Sequence, residues 1–373
     1  MGLKERLKLY KKMESHRKRP LITYVTSKRD GVDSSMASDA LPYLIDQLEC
    51  LPDEATDLDF LIVSYGGDPM VAWRIMSLMR ERVNKVFVLI PQSAYSAATL
   101  VALGGDEIVM HPNGHLGPVD MQITTFSEGR RRQFSTEDIS AFVDFVRDGL
   151  SITDQEHLCH LFAMTCKEVG SLGVGFTARN QKLAIALGER LLGMHMGEDD
   201  QVHKRTLIEN LSRQFHSHSY PVSRSEAKEI GLPVNSKRDI DLEGLMWELW
   251  LDIEHELEER KPFHPIAEVL NSPEGAKLMS PVPQLELPCN APSPSYLQAS
   301  IEDVNKASIM VDPVDFETVD AIMESSRLAY RGITKGKILA SREPHLNLQF
   351  NSLVMFNGWE QTHSGNKRHG PKK

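Results

Sequence analysis

Short apolar runs alternate with amphipathic segments between about residues 20 and 110. The apolar runs are rich in β-branched residues and have no polar interruptions, which predicts strands buried on both faces. The segments between them have apolar residues at helical spacing. Repeated strand–helix units of this kind are typical of a parallel sheet covered by helices. The predicted strands are 21–26, 60–64, 86–90 and 108–110, and the predicted helices are 38–51, 69–83 and 96–104.

Beyond residue 110 the pattern changes to a loop at 111–135, then to mostly helical sequence at 136–232, with a capping box that begins at Ser223. Prolines then become frequent, which predicts a linker or arm. The predicted organisation is a basic N-terminal helix (1–19), a main α/β domain (20–235), a helical extension (236–260), a Pro-rich linker or arm (261–298), a small α+β appendage (299–363) and a disordered basic tail (364–373).

The 373-residue chain has a net charge of −10 that is unevenly distributed. Residues 1–19 carry +6 and residues 364–373 carry +4, so the remainder carries −20. An acidic body repels the phosphate backbone, which argues against nucleic-acid binding. The sequence has neither a signal peptide nor an apolar run long enough for a transmembrane segment, so a cytoplasmic protein is predicted. Residues 1–19 are the one place predicted for a weak peripheral membrane contact.

The four cysteines lie at spacings that favour neither a disulfide framework nor a zinc site. His157, Cys159, His160 and Cys166 are close in sequence, but on a helix Cys159 points away from the face that the two histidines share. The sequence therefore predicts no metal site, and nothing in it indicates a nucleotide or an organic cofactor.

Three features follow consecutive predicted strands. Gly66 and Gly67 come directly after the strand 60–64, where bare backbone can approach another segment and leave N–H groups for an anion. Ser96 follows the next strand and opens a helix. The segment 111–120 follows the third strand, at the edge where parallel sheets bind ligands. Each feature alone is typical of an ordinary turn or cap, but their order indicates a nucleophile with oxyanion donors and a substrate wall.

These residues also match a family. The segments SYGGD (64–68), SAATLVALGGDEIVM (96–110) and LGPVDMQ (116–122) resemble the Clp-fold serine peptidases, and most closely the serine dehydrogenase proteinase family, relatives of signal peptide peptidase A. The match continues more weakly into residues 215–234 and covers roughly residues 20–255. It implies an α/β fold with a Clp/crotonase-like βα superhelical core, to which the helical extension and the C-terminal appendage are added.

By this resemblance Ser96 is the nucleophile of a serine peptidase. The backbone N–H of Gly66 or Gly67 and that of Ala97 would bind the oxyanion, and an extended strand from Leu116 and Gly117 to Gln122 would line the substrate groove. The sequence departs from the family pattern at Asp68, Ala98 and Met121. The resemblance further implies a polypeptide substrate and a homo-oligomer.

A serine nucleophile needs a base, either a histidine held by a carboxylate or a lysine kept neutral by burial. His111 and His115 come too early for the histidine of Clp proteolytic subunits. Lys167 is the predicted base, because its apolar neighbours on the helix 152–169 would desolvate it, and Lys182 is the second choice. The alternative for either lysine is an exposed position on a helix surface with no catalytic role.

Two other functions stay open at this point. One is a catalytically inactive Clp-fold scaffold that binds extended peptides. The other is a crotonase-like acyl-CoA enzyme, which shares the fold and the oxyanion site but uses no serine nucleophile.

Overall fold

The computed structural model describes residues 2–119, 122–127, 130–197, 200–213, 220–235, 237–281, 294–295, 298, 308–343 and 347–364. The strands are β1 (Leu21–Thr26), β2 (Asp57–Val63), β3 (Lys85–Ile90), β4 (Ser93–Ala94), β5 (Glu107–Met110), β6 (His115–Leu116), β7 (Gln122–Ser127), β8 (Arg130–Ser135), β9 (Val222–Ser223), β10 (Ile309–Met310), β11 (Val314–Ser325), β12 (Leu328–Arg342) and β13 (Leu348–Ser364). The helices are α1 (Leu3–Arg17), α2 (Leu41–Glu49), α3 (Pro69–Arg82), α4 (Ala97–Leu103), α5 (Thr136–Asp144), α6 (Gln155–Val169), α7 (Ser171–Leu192), α8 (Gln201–Arg213), α9 (Arg224–Glu229), α10 (Ile240–Glu256), α11 (Pro265–Leu270) and α12 (Pro273–Leu278).

The central sheet has the strand order β10-β12-β11-β1-β2-β3-β5, with β13 paired to the outer side of β12. Strands β1, β2, β3 and β5 run parallel to one another, and β11 joins antiparallel at β1. Every residue of β1 is buried, as its unbroken apolar sequence predicts for a strand covered on both faces. The α/β fold and the parallel core expected from the sequence are confirmed.

Two apolar layers cover the sheet because successive strand residues point to opposite faces. On β2, Phe60 and Ile62 belong to the core that contains α2, α3, α4, α7 and α8, whereas Leu61 and Val63 belong to the core formed with α1 and α10. Helix α4 is buried along its whole length, so it lies inside the first of these cores. None of the described helices is long and apolar enough to span a membrane.

The C-terminal part of the chain differs from its prediction. The described residues between 308 and 364 form strands and no helix, and β11 pairs with β1, so this region extends the central sheet and is not a separate α+β appendage. The Pro-rich linker contains α11 and α12, and Val269 and Leu278 from these helices share a small core with Ile338 of β12. Residues 365–373 of the predicted tail lie outside the described part of the chain.

The predictions for the segment 111–135 and for the capping box at Ser223 have different outcomes. The loop expected at 111–135 contains the hairpin of β7 and β8, paired in register from Gln122–Ser135 to Ser127–Arg130. The capping box at Ser223 is confirmed: its hydroxyl accepts the Glu226 N–H, and the Glu226 carboxylate accepts the Ser223 N–H. This cap begins α9 directly after β9.

Helix α1 is docked on the protein and is not a solvated basic helix. Its apolar residues Leu9, Tyr10 and Met13 are buried against α10 and the sheet, and Arg6 is 1% exposed. This apolar face is therefore not available to a membrane in the folded chain, and the predicted membrane contact of residues 1–19 would involve only the exposed basic side chains.

A buried ion-pair network joins α1, α10 and β11. The Arg6 guanidinium donates to Glu324 at 2.7 and 3.2 Å and to Asp252 at 2.9 Å, and it also pairs with Glu256. The Tyr10 hydroxyl donates to the same Glu324 carboxylate at 3.0 Å. Burial acts to lower the pKa of Arg6, but the carboxylates of Glu324 and Glu256 outweigh it, so the pKa of Arg6 is raised. The network thus holds α1 and β11 against α10.

Replacing Arg6 by methionine is expected to destabilise the fold, because it leaves buried carboxylates without their cation. Breaking such a pair costs about 3–5 kcal/mol, measured as the free energy of unfolding in denaturant titrations. Arg260→Met is the matched control, since it removes an exposed arginine that pairs with Glu254. An Arg6→Met protein as stable as the control would contradict a structural role for the network.

Candidate functional site

The candidate site forms where the ends of β2 and β4 meet. Ser64, directly after β2, forms a parallel bridge with Ala94 of β4: its N–H donates to the Ser93 carbonyl at 3.0 Å, and its carbonyl accepts the Tyr95 N–H at 3.0 Å. This pairing places the Gly-Gly loop beside the turn that leads from β4 into α4. Ser96 is the residue at that turn.

The backbone of Ser96 has φ 52° and ψ −115°, a region that residues other than glycine rarely adopt. Such conformations cost of order 1–3 kcal/mol and occur mostly at functional sites. A sharp strand-to-helix turn with a serine at its tip is also the geometry that exposes the nucleophile in α/β-hydrolases. Ser96 is partly exposed, whereas Ala97, which begins α4, is buried.

Thr99 holds this turn in place. Its buried hydroxyl lies 2.8 Å from both the Ala94 and the Gly117 carbonyl oxygens, so it links β4 to the segment after β6. The Ala98 N–H donates to the Tyr95 carbonyl at 2.9 Å across the turn. These contacts compensate for the strained backbone of Ser96, and none of them involves residue 98 beyond its backbone, so the Ala98 departure leaves the turn intact.

Gly66 has no space for a side chain. A Cβ at this position would lie 2.8 Å from the Ser96 Cβ and 3.0 Å from the Ala97 nitrogen, and its φ of +99° is itself unfavourable for other residues. The absence of a side chain therefore brings the Gly-Gly loop into direct contact with the turn at Ser96.

The structure distinguishes the two glycine amides. The Gly66 N–H donates to the Ser64 hydroxyl at 3.0 Å, and that hydroxyl lies 2.6 Å from the hydroxyl of Thr26. Gly67 is exposed, and its N–H donates to no acceptor among the residues that the structure describes. Of the two glycines predicted as oxyanion donors, Gly67 is the one whose amide is available.

Met36 sets the direction of the Gly67 amide. The Met36 N–H donates to the Gly66 carbonyl at 2.8 Å, and the Met36 carbonyl accepts the Asp68 N–H at 2.9 Å. Because neighbouring residues of an extended strand direct their amides to opposite sides, the N–H of Gly67 points away from Met36. The Ala97 N–H also donates to no acceptor within the described chain. Asp68, the departure in this loop, caps α3 through the Met70 N–H.

Leu116 and Gly117 lie differently from a groove-lining strand. Strand β6 pairs with β4 on one side and with β9 on the other, so both of its edges are occupied. Leu116 is fully buried, and Gly117 donates its N–H to the Ala94 carbonyl at 2.8 Å. A Cβ on Gly117 would lie 1.7 Å from the Tyr95 ring. Leu116 and Gly117 therefore pack against the residues of the turn. Their contact with substrate stays a prediction. Met121 lies outside the described residues.

Aromatic side chains flank the turn. The Tyr95 ring makes edge contacts with Tyr65 and with His115, each with centroids 5.4 Å apart. The Lys28 ammonium lies 5.5 Å from the Tyr65 ring centroid and donates to the Gln92 side chain. Burial lowers the pKa of Lys28 and also that of His115. Aromatic rings therefore lie on one side of the turn at Ser96, and the partly desolvated ammonium group of Lys28 lies next to them.

The predicted bases are on the helical part of the chain. Lys167 is exposed on α6, and its neighbours Phe162 and Met164 are 58% and 53% exposed. The desolvation expected for Lys167 is therefore not provided by the residues that the structure describes. Lys182 of α7 is exposed as well. His216 and His218, in the segment 215–234, lie outside the described residues.

The described residues contain no group of three or more His, Cys, Asp or Glu side chains placed to hold a metal ion. Cys159 is exposed on α6, and His157 pairs at 2.8 Å with Asp154, which caps the same helix.

Sequence reasoning did not single out Ser64, Thr99, Tyr65, Tyr95 or Lys28. Thr99 could have been predicted, because it belongs to the same SAAT segment as the serine. The others had no local signal: Ser64 and Lys28 become relevant only when β1, β2 and β4 come together.

Residues 43–130 match the sequence profile of the ClpP-like SDH-type serine proteinases. This segment includes the Gly-Gly loop, Ser96 and the turn into α4, so the resemblance expected from these motifs is confirmed for the part of the chain that builds the site.

Two uncharacterised proteins of Methanocaldococcus jannaschii are similar to the chain. One is 25% identical over 186 residues, which cover 50% of this chain and 54% of that protein. The other is 28% identical over 189 residues, which cover 51% and 57%. The chain thus spans about half the length of the curated relatives it matches.

Three solved structures overlap with the chain in part. A membrane-bound stomatin-specific protease is 15% identical, with a TM-score of 0.34 over 60% of this chain and 82% of that one. The same kind of protease in complex with a substrate peptide is 17% identical, with 0.33 over 60% and 77%. The ClpP catalytic domain from Plasmodium falciparum is 14% identical, with 0.33 over 64% and 94%. Scores this low describe partial overlap of the backbones and nothing more.

Gly66→Ala is expected to disturb the turn, because its Cβ would meet Ser96 and Ala97 at a strained φ. We expect the free energy of unfolding to fall by more than about 1 kcal/mol and hydrogen exchange to accelerate at residues 94–103. Gly175→Ala is the matched control: it lies in α7 with nothing within 4 Å of a new Cβ, so it should raise stability by roughly 0.5–1 kcal/mol. Equal behaviour of the two variants would contradict the close approach.

Proposed function

We propose that the protein is a serine peptidase in which Ser96 attacks the carbonyl carbon of a peptide bond. The observation that carries the proposal is the strained backbone of Ser96 beside two amides that donate to no acceptor in the described chain, those of Gly67 and Ala97. N–H groups that have no acceptor within the described chain, close to a serine hydroxyl, are the donors that a tetrahedral oxyanion requires. The match of residues 43–130 to the ClpP-like SDH-type serine proteinases supports the same reaction.

In the proposed reaction the Ser96 Oγ forms a bond to the substrate carbonyl carbon while its proton passes to a base. The oxygen of the former carbonyl becomes negative and accepts hydrogen bonds from the Gly67 and Ala97 N–H groups. The C–N bond then breaks, and the leaving amine takes the proton from the base. Water, deprotonated by the same base, hydrolyses the resulting ester of Ser96 and restores the hydroxyl.

Lys167 is the proposed base of a Ser-Lys pair, on the condition that its exposed ammonium group becomes desolvated. A lysine acts as a base near neutral pH only when desolvation makes its neutral form accessible. Within one chain Lys167 is exposed, so its desolvation depends on a second copy that covers α6.

The helical region supports such an assembly. Helix α6 has no fully buried side chain, and the region around it exposes many large apolar residues. Exposed apolar surface on this scale marks an interaction site in a folded protein. The residues concerned are Phe142, Phe145, Leu150, Phe162, Met164 and Leu172. A homo-oligomer that buries this face would both cover these side chains and desolvate Lys167.

Ser96 is expected to react with a fluorophosphonate probe, and Ser96→Ala is expected to abolish the adduct found by peptide mass spectrometry. Ser77→Ala, which removes a hydroxyl bonded to the Trp73 carbonyl inside α3, is the control and should label as the natural protein does. Labelling should increase toward pH about 9, where a lysine base has a larger neutral fraction. No adduct on Ser96 at any pH up to that value would contradict a serine peptidase and favour an inactive peptide-binding scaffold.

Lys167→Gln is expected to slow labelling of Ser96 by about 10²-fold or more, the usual contribution of a general base. Lys182→Gln, a change of the same kind on α7, should label at the natural rate. The labelling rate of the unmodified protein should also fall on dilution, together with the mass of the assembly measured by light scattering. If Lys167→Gln labels normally and Lys28→Gln does not, the base is Lys28 and the Lys167 assignment is wrong.

A further inference from the structure

The end of β1 is hydrogen-bonded to the glycine loop through two buried hydroxyl groups. Thr26 is the last residue of β1, and its hydroxyl lies 2.6 Å from the hydroxyl of Ser64. The Ser64 oxygen in turn accepts the Gly66 N–H at 3.0 Å. Thr26 and Ser64 are 1% and 0% exposed, so bulk water does not compete for these hydroxyls. Two consecutive hydrogen bonds thus connect β1 to the loop after β2.

The Thr26 hydroxyl decides how the Ser64 hydroxyl is oriented. A serine hydroxyl has one hydrogen and two lone pairs, and it rotates to suit its partners. The Ser64 backbone is already fixed to β4, because its N–H and its carbonyl bond to Ser93 and Tyr95. The remaining freedom is the rotation of its hydroxyl, which must keep a lone pair directed at the Gly66 N–H. Gly66 depends on this restraint, since a glycine at φ +99° has no side chain to limit its rotation.

Lys28, two residues after Thr26, contacts the other half of the site. Its ammonium group donates to the side-chain oxygen of Gln92, the residue directly before β4. The same oxygen accepts the Ser93 hydroxyl at 2.5 Å. Because β4 leads into the turn at Ser96 after one further residue, Lys28 fixes the beginning of the strand that carries the serine.

Glu259 holds the end of β1 in place. Its carboxylate accepts the backbone N–H of Lys28 at 2.8 and 3.0 Å and the Ser27 hydroxyl at 3.2 Å. Glu258, between α10 and Glu259, has φ 52°, which is unfavourable for a residue other than glycine. This conformation turns the chain back on the helix, so that the Glu259 N–H donates to the Glu254 carbonyl at 3.2 Å. Helix α10 therefore ends in a strained turn that directs a carboxylate at β1.

We propose that the end of β1, held by Glu259, positions the oxyanion donors of the site, with Thr26 orienting the glycine loop and Lys28 the strand that leads to Ser96. This proposal rests on the proposed peptidase function. Thr26 and Glu259 are then positioning residues, which act through their neighbours and not on the substrate. Their effect on the rate follows from geometry, because a hydrogen bond to the developing oxyanion weakens steeply when its donor is misaligned.

The test measures how fast a fluorophosphonate reacts with Ser96 as the probe concentration is raised. In this reaction the serine oxygen bonds to phosphorus, fluoride leaves and the serine proton passes to the base. Thr26→Val keeps the size of the side chain and removes its hydroxyl, so the maximal rate should fall at least about tenfold, which is part of the effect of losing an oxyanion donor. The half-saturating concentration should change by less than about threefold, because the donors act on charge that develops during the attack.

A conservative variant and a matched control separate positioning from a loss of structure. Thr26→Ser keeps the hydroxyl and should keep the maximal rate within about threefold. Thr23→Val makes the same change at another buried residue of β1, which is paired with Leu61, and should label at the natural rate. Glu259→Ala should lower the maximal rate by about threefold or more, and Glu259→Gln, which keeps an acceptor oxygen, should retain most of it.

Hydrogen exchange of the Gly66 amide provides a readout that does not depend on peptidase activity. Thr26→Val should accelerate this exchange at least about tenfold relative to Thr23→Val. If Thr26→Val labels and exchanges as Thr23→Val does, or if Thr26→Ser is slowed as strongly as Thr26→Val, the positioning role is wrong. If the natural protein is not labelled at Ser96 at all, the proposed function fails. In that case accelerated Gly66 exchange in Thr26→Val still supports the orientation of the glycine loop by Thr26, and unchanged exchange overturns it.

Discussion

The contact between the Gly66 backbone and the turn at Ser96 is the constraint on which the site depends. It requires the absence of a side chain at residue 66, and it requires that the loop after β2 and the turn after β4 be held side by side. Ser64 supplies that link through its bridge to Ala94. The same serine also accepts the Gly66 amide, which leaves the next amide, that of Gly67, as the one that can bind an anion. The geometry of the loop and the availability of the Gly67 amide thus have one common cause.

The strained backbone conformation of Ser96 is maintained because the surrounding sheet fixes the positions of the residues on both sides of the turn. Strands β1, β2, β3 and β5 are buried on both sides, and their apolar sequences made them predictable. The antiparallel addition of β11 to β1 was not predictable, since the pairing joins residues about 300 positions apart and neither strand indicates its partner. The buried position of Arg6 has the same origin: a basic residue in a basic segment acquires its carboxylate partners only when α10 and β11 are in place.

The features of the candidate site divide in a similar way, into those that could be predicted from the sequence and those that could not. Ser96, Ala97 and the glycine pair could be proposed from sequence because each follows a strand whose position the pattern predicts. The choice between the two glycines needed the Ser64 hydroxyl, and the burial of Leu116 needed the pairing of β6 on both edges. The desolvation expected for Lys167 is not found among the described residues for a physical reason: apolar neighbours in sequence desolvate a lysine only when something packs over them, and no described residue covers that face of α6.

Exposure has opposite meanings at two of the places where the described residues leave large apolar side chains in water. Around α6 the exposed residues are aliphatic and aromatic together, spread over several turns, and they surround a lysine, which fits a broad surface covered by another copy of the chain. At the turn a single ring, that of Tyr65, is exposed beside a partly exposed serine and an exposed glycine amide. A second copy that covered this ring would also block access to Ser96. The proposed assembly is therefore consistent with the proposed hydrolysis only when it buries the α6 face and leaves the Tyr65 face open.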